Sequence, residues 1–391
     1  MRKLKVGYLV ASFYPFGDGM ENYCLDSVRE LVKMGHEVHV FTSDRKDGKI
    51  IEKMEEVYQG IHIHRSRTFW RYRHYLDFCP GVLLDFLKCK DLDVLHVHSF
   101  GFIFYDLAVL YSKLFRRQTA LVNTPYGPFM CLKDYPWWQE VLKWCFKKVE
   151  YPLNTFYDGA IQINPQQWKW IVDEGVKKEK VFLSIVGISN NTYDKVDNKD
   201  FIEKYNLKGK LVISNLNRVM EYKGQHQIIQ VLPDIVKEYP NVVFLSMGRE
   251  KDGWIKHCKD LAKKLGVEKN VIIVGEVSEE DKLKGLDASE IFVQSSKWEA
   301  FGIVTLEAMA RKNAIVSTDN EGSKFLVEKN GLLYKWEDLD GLKSNLLKLI
   351  KDKKLREEMK EESYKRSFKF TNEAAVRDYL EPVYQKLRLR K

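Results

Sequence analysis

Two cations and two carboxylates in the second half of this chain have the types and spacing to manage a departing anion. Asn217-Arg218 closes an apolar segment, and Lys223-Gly224 opens the amphipathic stretch that follows it. A fixed guanidinium and ammonium at such a turn lower the barrier to loss of a diphosphate leaving group without a metal, because negative charge grows on that group as its bond breaks. The plainer alternative is a pair of solvated surface charges. Further on, Lys297-Trp298-Glu299-Ala300-Phe301-Gly302-Ile303-Val304-Thr305-Leu306-Glu307-Ala308-Met309-Ala310 follows the apolar run Ile291–Gln294. Glu299 precedes a helix start, and Glu307 falls inside that helix among Val304, Leu306, Met309 and Ala310, as a buried helix would carry them. A carboxylate there is costly without a hydroxyl or cationic partner.

Gly17-Asp18-Gly19-Met20-Glu21 stands between the first apolar segment and a helical one, where free N–H groups would face an anion and glycine admits a phosphate or sugar. A tight strand-to-helix turn is the simpler reading, and a dinucleotide fingerprint would need glycine where Asn22 stands. Asp91-Leu92-Asp93 and Asp338-Leu339-Asp340 each spell the Asp-x-Asp of metal-dependent transferases. Both lie at element starts, where capping accounts for them, so no metal ligand is assigned. His36, His39, His62, His64, His96 and His98 sit in or beside strands without ligand spacing and read as structural. The cysteines Cys24, Cys79, Cys89, Cys131, Cys145 and Cys258 form no CxxC pair, which argues against a disulfide framework or a zinc site and for free thiols in a reducing compartment.

The elements that must position these residues form two similar series. A chain of 391 residues with 45% hydrophobic content is too long for one ordinary core. Apolar segments at Lys5–Ala11, Glu37–Phe41, Asp93–Val97, Ala120–Asn123 and Asp158–Ile163 alternate with helical periodicity, and Gly35 closes the first helix. The pattern restarts at Leu211–Asn215 and runs through Val242–Met247, Val271–Val274, Ile291–Gln294 and Ala314–Ser317. Such alternation predicts doubly wound α/β units with parallel sheets. The polar segment Ser189–Asp200 reads as a linker, which gives domains 1–190 and 191–370, and a last helix over 371–391 packs back on the first. No apolar run has the length of a spanning helix, since Leu4–Phe16 is interrupted by Lys5 and Pro15. The net charge of +9 attracts phosphates, whether of nucleic acid, anionic lipid or a nucleotide.

Taken together, the Gly17–Glu21 loop, Gly35-His36-Glu37-Val38, Asp93-Val94-Leu95-His96-Val97-His98, the Arg218 to Lys223-Gly224 pair and Glu299 through Ala310 resemble the family 4 retaining glycosyltransferases. The resemblance spans nearly the whole chain in the expected order. It implies the GT-B fold, two Rossmann-like domains facing across a cleft, with the acceptor on the first and the nucleotide-sugar donor on the second. By position it implies that Arg218 and Lys223 hold the donor diphosphate, that Glu307 binds ribose hydroxyls and that Glu299 lies by the donor sugar. It further implies that backbone N–H groups of Phe301, Gly302 and Ile303 approach the phosphates and sugar, and that Gly19 lines the donor site. The family's chemistry is a metal-independent, front-face transfer through a loose ion pair, with retention. In Asn123-Thr124-Pro125-Tyr126-Gly127-Pro128 the residue before glycine is Tyr126, where relatives usually have His. Tyrosine can donate to a sugar oxygen but cannot serve as an imidazolium. Other departures are Asn217, Val186, Lys312 and Ala314, which bear on donor geometry.

On the acceptor side, the segment to Phe78 interleaves Arg65, Arg67, Arg71, Arg73 and His74 with Phe69, Trp70, Tyr72 and Tyr75. The segment Phe129 to Pro152 mixes Trp137, Trp138, Trp144 and Phe146 with Lys133, Lys143, Lys147 and Lys148. These mixtures suit an anionic bilayer surface and hence a lipid-linked acceptor. The bland reading makes Val141, Trp144 and Phe146 core residues of a helix with a wet lysine face. Single-stranded nucleic acid would leave Glu299 and Glu307 unexplained and is not expected as a partner. The reading is therefore a cytoplasmic hexosyltransferase, peripheral at the membrane's cytoplasmic face, using a UDP-, GDP- or ADP-sugar and a glycan or lipid-linked acceptor, with no further cofactor. A non-catalytic nucleotide-sugar or anionic-lipid binding module and a nucleotide-sugar epimerase remain as alternatives, separated by donor turnover and by product analysis. Arg218→Ala or Lys223→Ala is expected to abolish most transfer and spare thermal stability.

Overall fold

The computed structural model describes residues 2–17, 19–46, 48–72, 76–100, 102–126, 137–250 and 253–391. They form two compact units, one built from Met1–Gly187 with Asn372–Lys391 and one from Ile188–Thr371.

The main elements of the first unit are β1 (Lys5–Leu9), α1 (Gly19–Lys33), β2 (Glu37–Ser43), β3 (Glu55–Tyr58), β4 (Ile61–Ser66), α2 (Gly81–Lys88), β5 (Val94–His98), α3 (Ile103–Phe115), β6 (Ala120–Thr124), α4 (Trp137–Asn154), β7 (Gly159–Gln162), α5 (Trp168–Asp173) and β8 (Val181–Leu183). The sheet order is β8-β7-β6-β5-β1-β2-β4-β3, and the strands are parallel except where β3 runs against β4. Helices on both faces bury the central strands completely, so β5 and β6 carry no exposed residue. The edge strand β3 instead carries two glutamates and an exposed Val57, a charged edge that resists further pairing. Gly35 closes α1 at φ +87°, donating its N–H to Val32 O at 2.8 Å while His36 donates to Leu31 O at 3.1 Å.

The second unit contains β9 (Leu211–Leu216), α6 (Gln225–Glu238), β10 (Val242–Met247), α7 (Trp254–Lys264), β11 (Val271–Gly275), α8 (Glu279–Asp287), β12 (Ile291–Gln294), α9 (Ile303–Ala310), β13 (Ala314–Thr318), β14 (Gly331–Tyr334), α10 (Leu339–Lys351) and α11 (Lys353–Ser367). Its sheet is parallel throughout, in the order β11-β10-β9-β12-β13-β14. In each unit the chain builds outward from the first strand on one side and then returns to its other side. The crevices where ligands bind in such sheets therefore open at the carboxyl ends of β1 and β5, and of β9 and β12.

The last helix, α12 (Glu381–Leu389), completes the first unit. Its buried Tyr384 places Oη 2.9 Å from Tyr8 Oη and 2.5 Å from His96 Nδ1. Arg388 Nε donates to Asp93 at 2.7 Å, and Asp93 also accepts the Lys5 N–H at 2.9 Å. Asp338 caps α10 by accepting from Gly341 N at 2.9 Å. Both Asp-x-Asp sequences thus supply structural carboxylates. Cys24, Cys89, Cys145 and Cys258 are free thiols, Cys79 is buried with its Sγ donating to Ser66 O at 3.3 Å, and Cys131 lies outside the described residues.

Candidate active site

In the second unit, the turn after β9 and the loop after β12 are stitched together at adjacent strand ends. Lys297 N donates to Tyr222 O at 2.8 Å, and Ser295 Oγ donates to Lys223 O at 2.7 Å. Gly224 makes this approach possible, for it sits at φ +72° and a Cβ there would fall 2.2 Å from Ser295 O. The contact delivers Lys223 to Glu299, and the two form an ion pair with side chains only 10% and 15% exposed. Gln294 holds the carboxylate from behind. Its Nε2 donates to Glu299 Oε1 at 2.8 Å while its Oε1 accepts from Asn217 Nδ2 at 2.6 Å.

Arg218 is exposed, and among the described residues its guanidinium makes one polar contact, a long approach of Nη2 to Tyr222 Oη at 3.5 Å. Among the described residues its guanidinium has no carboxylate partner, so a full positive charge faces the crevice uncommitted. Lys223, by contrast, is paired with Glu299.

The N-terminus of α9 adds partial positive charge to the same loop. Gly302 turns at φ +95° to open it, and its carbonyl accepts from Thr305 at 2.9 Å and Leu306 at 3.2 Å. Among the described residues the N–H groups of Phe301, Gly302 and Ile303 donate to no backbone acceptor. The Phe301 ring is buried edge-on against Phe325 and Phe370, which fixes the loop by its side chain and frees its backbone. Glu307 lies further along α9, and the partner its burial demanded is Lys282 of α8, with Nζ 2.7 Å from Oε1. Burial pushes the Glu307 carboxyl above its usual range, and Lys282 counteracts this.

Tyr126 and Gly19 belong to the first unit. Tyr126 Oη lies 2.5 Å from His98 Nδ1 and 3.4 Å from Cys24 Sγ. Burial lowers the His98 pKa to about 3 and raises the Tyr126 phenol well above 10, so both are neutral across the physiological range. Gly127 and Pro128 lie outside the described residues. Gly19 begins α1, and a Cβ added to it would meet nothing within 4 Å, so packing does not require glycine there. Glu21 of the same loop is a buried structural carboxylate, paired with Lys46 at 2.5 Å and hydrogen-bonded by Ser12. Asp18 lies outside the described residues.

The aromatic-basic segments divide. Arg65 does not contribute to a basic surface, because it is 2% exposed, pairs with Glu56 at 2.8 Å and donates to Tyr14 O and Lys53 O. Phe69, Trp70 and Phe78 are exposed, whereas Arg73, His74, Tyr75 and Lys133 lie outside the described residues. On α4, Trp137, Trp138, Val141, Trp144 and Val149 form an exposed face at helical spacing. Trp144 at 63% and Val141 at 51% exposure are therefore not core residues. Lys143 and Lys147 turn to Glu140 and Glu174, while Lys148 stays exposed with Nζ 5.3 Å from the Trp144 ring. Among the described residues, every exposed large hydrophobic side chain except Leu333 and Phe368 belongs to the first unit.

The contacts of Tyr222, Lys282 and Gln294, and the meeting of Cys24 and His98 at Tyr126, went unrecognised in the sequence. Gln294 carried a signal, being the polar end of an otherwise apolar strand. Lys282 carried none, since it sits in the charged run Glu279-Glu280-Asp281-Lys282 with nothing to separate it from a solvated face.

Each unit is an α/β sheet, with cations and carboxylates gathered at the strand ends of the second, and comparison with known proteins gives the class. Residues 197–366 match the model for glycosyl transferases group 1, and residues 17–181 match that for glycosyltransferase family 4. The chain is 25% identical over 346 residues to mannosylfructose-phosphate synthase of Agrobacterium fabrum, covering 81% of this chain and 75% of that protein. It is 23% identical over 366 residues to phosphatidyl-myo-inositol mannosyltransferase of Mycolicibacterium smegmatis, covering 90% and 86%. The crystal structure of Anabaena HepE in complex with UDP superposes with a TM-score of 0.78 at 17% identity, covering 98% of this chain and all of that one. The chain belongs to the family 4 glycosyltransferases and has the GT-B fold. It is a sugar-transferring enzyme.

Proposed function

We propose that this enzyme transfers a hexosyl unit from a nucleoside diphosphate sugar, with retention and without a metal, to a glycan or lipid-linked acceptor. The observation that carries the reading is the junction of the Arg218–Lys223 turn with the Glu299 loop at the ends of β9 and β12. The uncommitted Arg218, Lys223 and the α9 N-terminus together offer enough positive charge to hold a diphosphate without an ion. As the anomeric C–O bond to the β-phosphate breaks, its electron pair stays on the departing phosphate oxygen. The acceptor hydroxyl bonds to the anomeric carbon on the same face and yields its proton to that oxygen. In this reading Glu307 accepts from the ribose, Glu299 lies by the donor sugar, and Tyr126 offers a neutral hydroxyl from the acceptor-binding unit. The presence of UDP in the Anabaena structure makes a UDP-sugar the first donor to try.

The exposed face of α4 favours an acceptor presented at a membrane surface, in keeping with the lipid named in the mycobacterial relative's activity. Aromatic rings of this kind settle at headgroup level, and with two of the lysines paired the attachment rests more on the rings than on charge. No helix among the described residues is long and apolar enough to cross a membrane, and the proposal places the association at the membrane surface.

The test is to incubate the protein with UDP-, GDP- and ADP-sugars and a membrane lipid extract, with and without EDTA, and to follow nucleotide release, labelled product and its anomeric configuration. EDTA-resistant transfer with retention supports the full reading. Inversion or metal dependence overturns the mechanism, and transfer only to soluble glycans overturns the membrane-borne acceptor.

A further inference from the structure

Glu307 is set into α9 between the fully buried Leu306 and Ala308. Lys282 of α8 lies 2.7 Å from its Oε1 and also reaches Glu279 Oε2 at 2.5 Å. Among the described residues, Glu307 Oε2 accepts from no protein group. The charges acting on Glu307 are Lys282 and Glu279. Other cations nearby are engaged elsewhere. Arg311, at the end of α9, donates through Nε to Asp287 at 2.6 Å, Arg356 and Lys360 of α11, the helix packed on α9, bind Glu290, and Lys312 binds Glu361. Stability alone does not account for a pair so withdrawn from water, because well-packed apolar residues of similar volume would hold the two helices together as well or better.

We infer that Lys282 is a positioning residue of the donor site, holding Glu307 as a carboxylate with Oε1 occupied and Oε2 open to accept a ribose hydroxyl of the nucleotide. The inference rests on Glu307 being the ribose contact. With Lys282 removed, burial acts unopposed on the carboxyl and holds its proton to higher pH. The acid form loses the charge-assisted acceptance that a ribose hydroxyl needs. Raising the pH then restores the carboxylate and the binding.

Calorimetric binding of whichever of UDP, GDP and ADP the wild type takes up, measured from pH 6 to pH 9, tests this without turnover. Lys282→Met is expected to weaken binding about tenfold at pH 6 and to recover toward pH 9. Lys282→Arg should bind as the wild type does, and the Lys282→Met/Glu307→Gln double variant should show no recovery with pH. Unchanged affinity in Lys282→Met, or a loss equal at every pH, overturns the role of Lys282. Glu307→Ala separates the two layers of argument. If it binds nucleotide normally, the ribose assignment itself fails; if it binds weakly while Lys282→Met is unaffected, only the inference about Lys282 falls.

Discussion

At the residue scale, Arg218 and Lys223 look interchangeable in the sequence and are unequal in the structure. Arg218 is exposed and, among the described residues, pairs with no carboxylate, so Arg218→Ala removes transition-state electrostatics and little else. The expected result is a fall in kcat/KM of about 100- to 1,000-fold with an unchanged Tm. Lys223→Ala differs, because it strands Glu299 beside Gln294 at 15% exposure. Loss of one partner from a largely buried pair costs about 3 kcal/mol, so this variant should lose thermal stability as well as activity, contrary to what the sequence suggested. Calorimetric melting of both proteins beside steady-state kinetics decides the matter, and equal Tm values would remove the ion pair from the account. The Glu299 loop stood out in the sequence because Glu299, Phe301 and Glu307 follow in a distinctive linear order. The partners Lys282 and Gln294 were not, because they arrive from other segments through the fold, and no spacing within one segment encodes them.

At the element scale, α4 carries its aromatic face outward while an acidic pair secures its inner side. Asp106 of α3 lies against Glu150 of α4, and burial with that neighbour raises the Asp106 pKa to about 9. The folded protein therefore keeps a proton that the unfolded chain releases near the usual carboxylate pKa. Stability from this site is full in acid and declines as pH rises toward 9. Asp106→Asn stays neutral at every pH, so its Tm should exceed that of the wild type by a margin that widens between pH 5 and pH 9. A constant margin in differential scanning fluorimetry would show that the pair shares no proton. Most central strands were legible because a parallel sheet covered on both faces demands uninterrupted apolar residues, as in Val242–Leu245, whereas β4 escaped because His62, His64 and Arg65 break its run. The edge strands β3 and β14 escaped notice for the opposite reason. Only one side of each is paired, so residues such as Glu55, Glu56 and the exposed Leu333 are tolerated there and blur the pattern.

At the scale of the whole molecule, the first unit is discontinuous and the second is not. Ile188–Thr371 carries its own hydrophobic core from Ile213 to Met359, whereas the first unit depends on Tyr384 to satisfy Tyr8 and His96 in its interior. A chain stopped after Thr371 should keep a protease-resistant second unit that still binds nucleotide, while the first becomes readily digested. Resistance of both units in limited proteolysis would refute this dependence. The polar stretch at 189–200 made a division near this point legible, but nothing in the composition of 372–391 announced that two tyrosines and a histidine would meet inside another segment's core.

That dependence also sets an order of events during synthesis. The strands of the first unit leave the ribosome early, yet the helix that covers the Tyr8 and His96 face follows only after all of Ile188–Thr371 has been made. At about 5–20 residues per second, that interval lasts on the order of ten seconds or more. Throughout it the second unit can fold to completion while the first waits with a polar seam exposed, so the half made first is the half finished last.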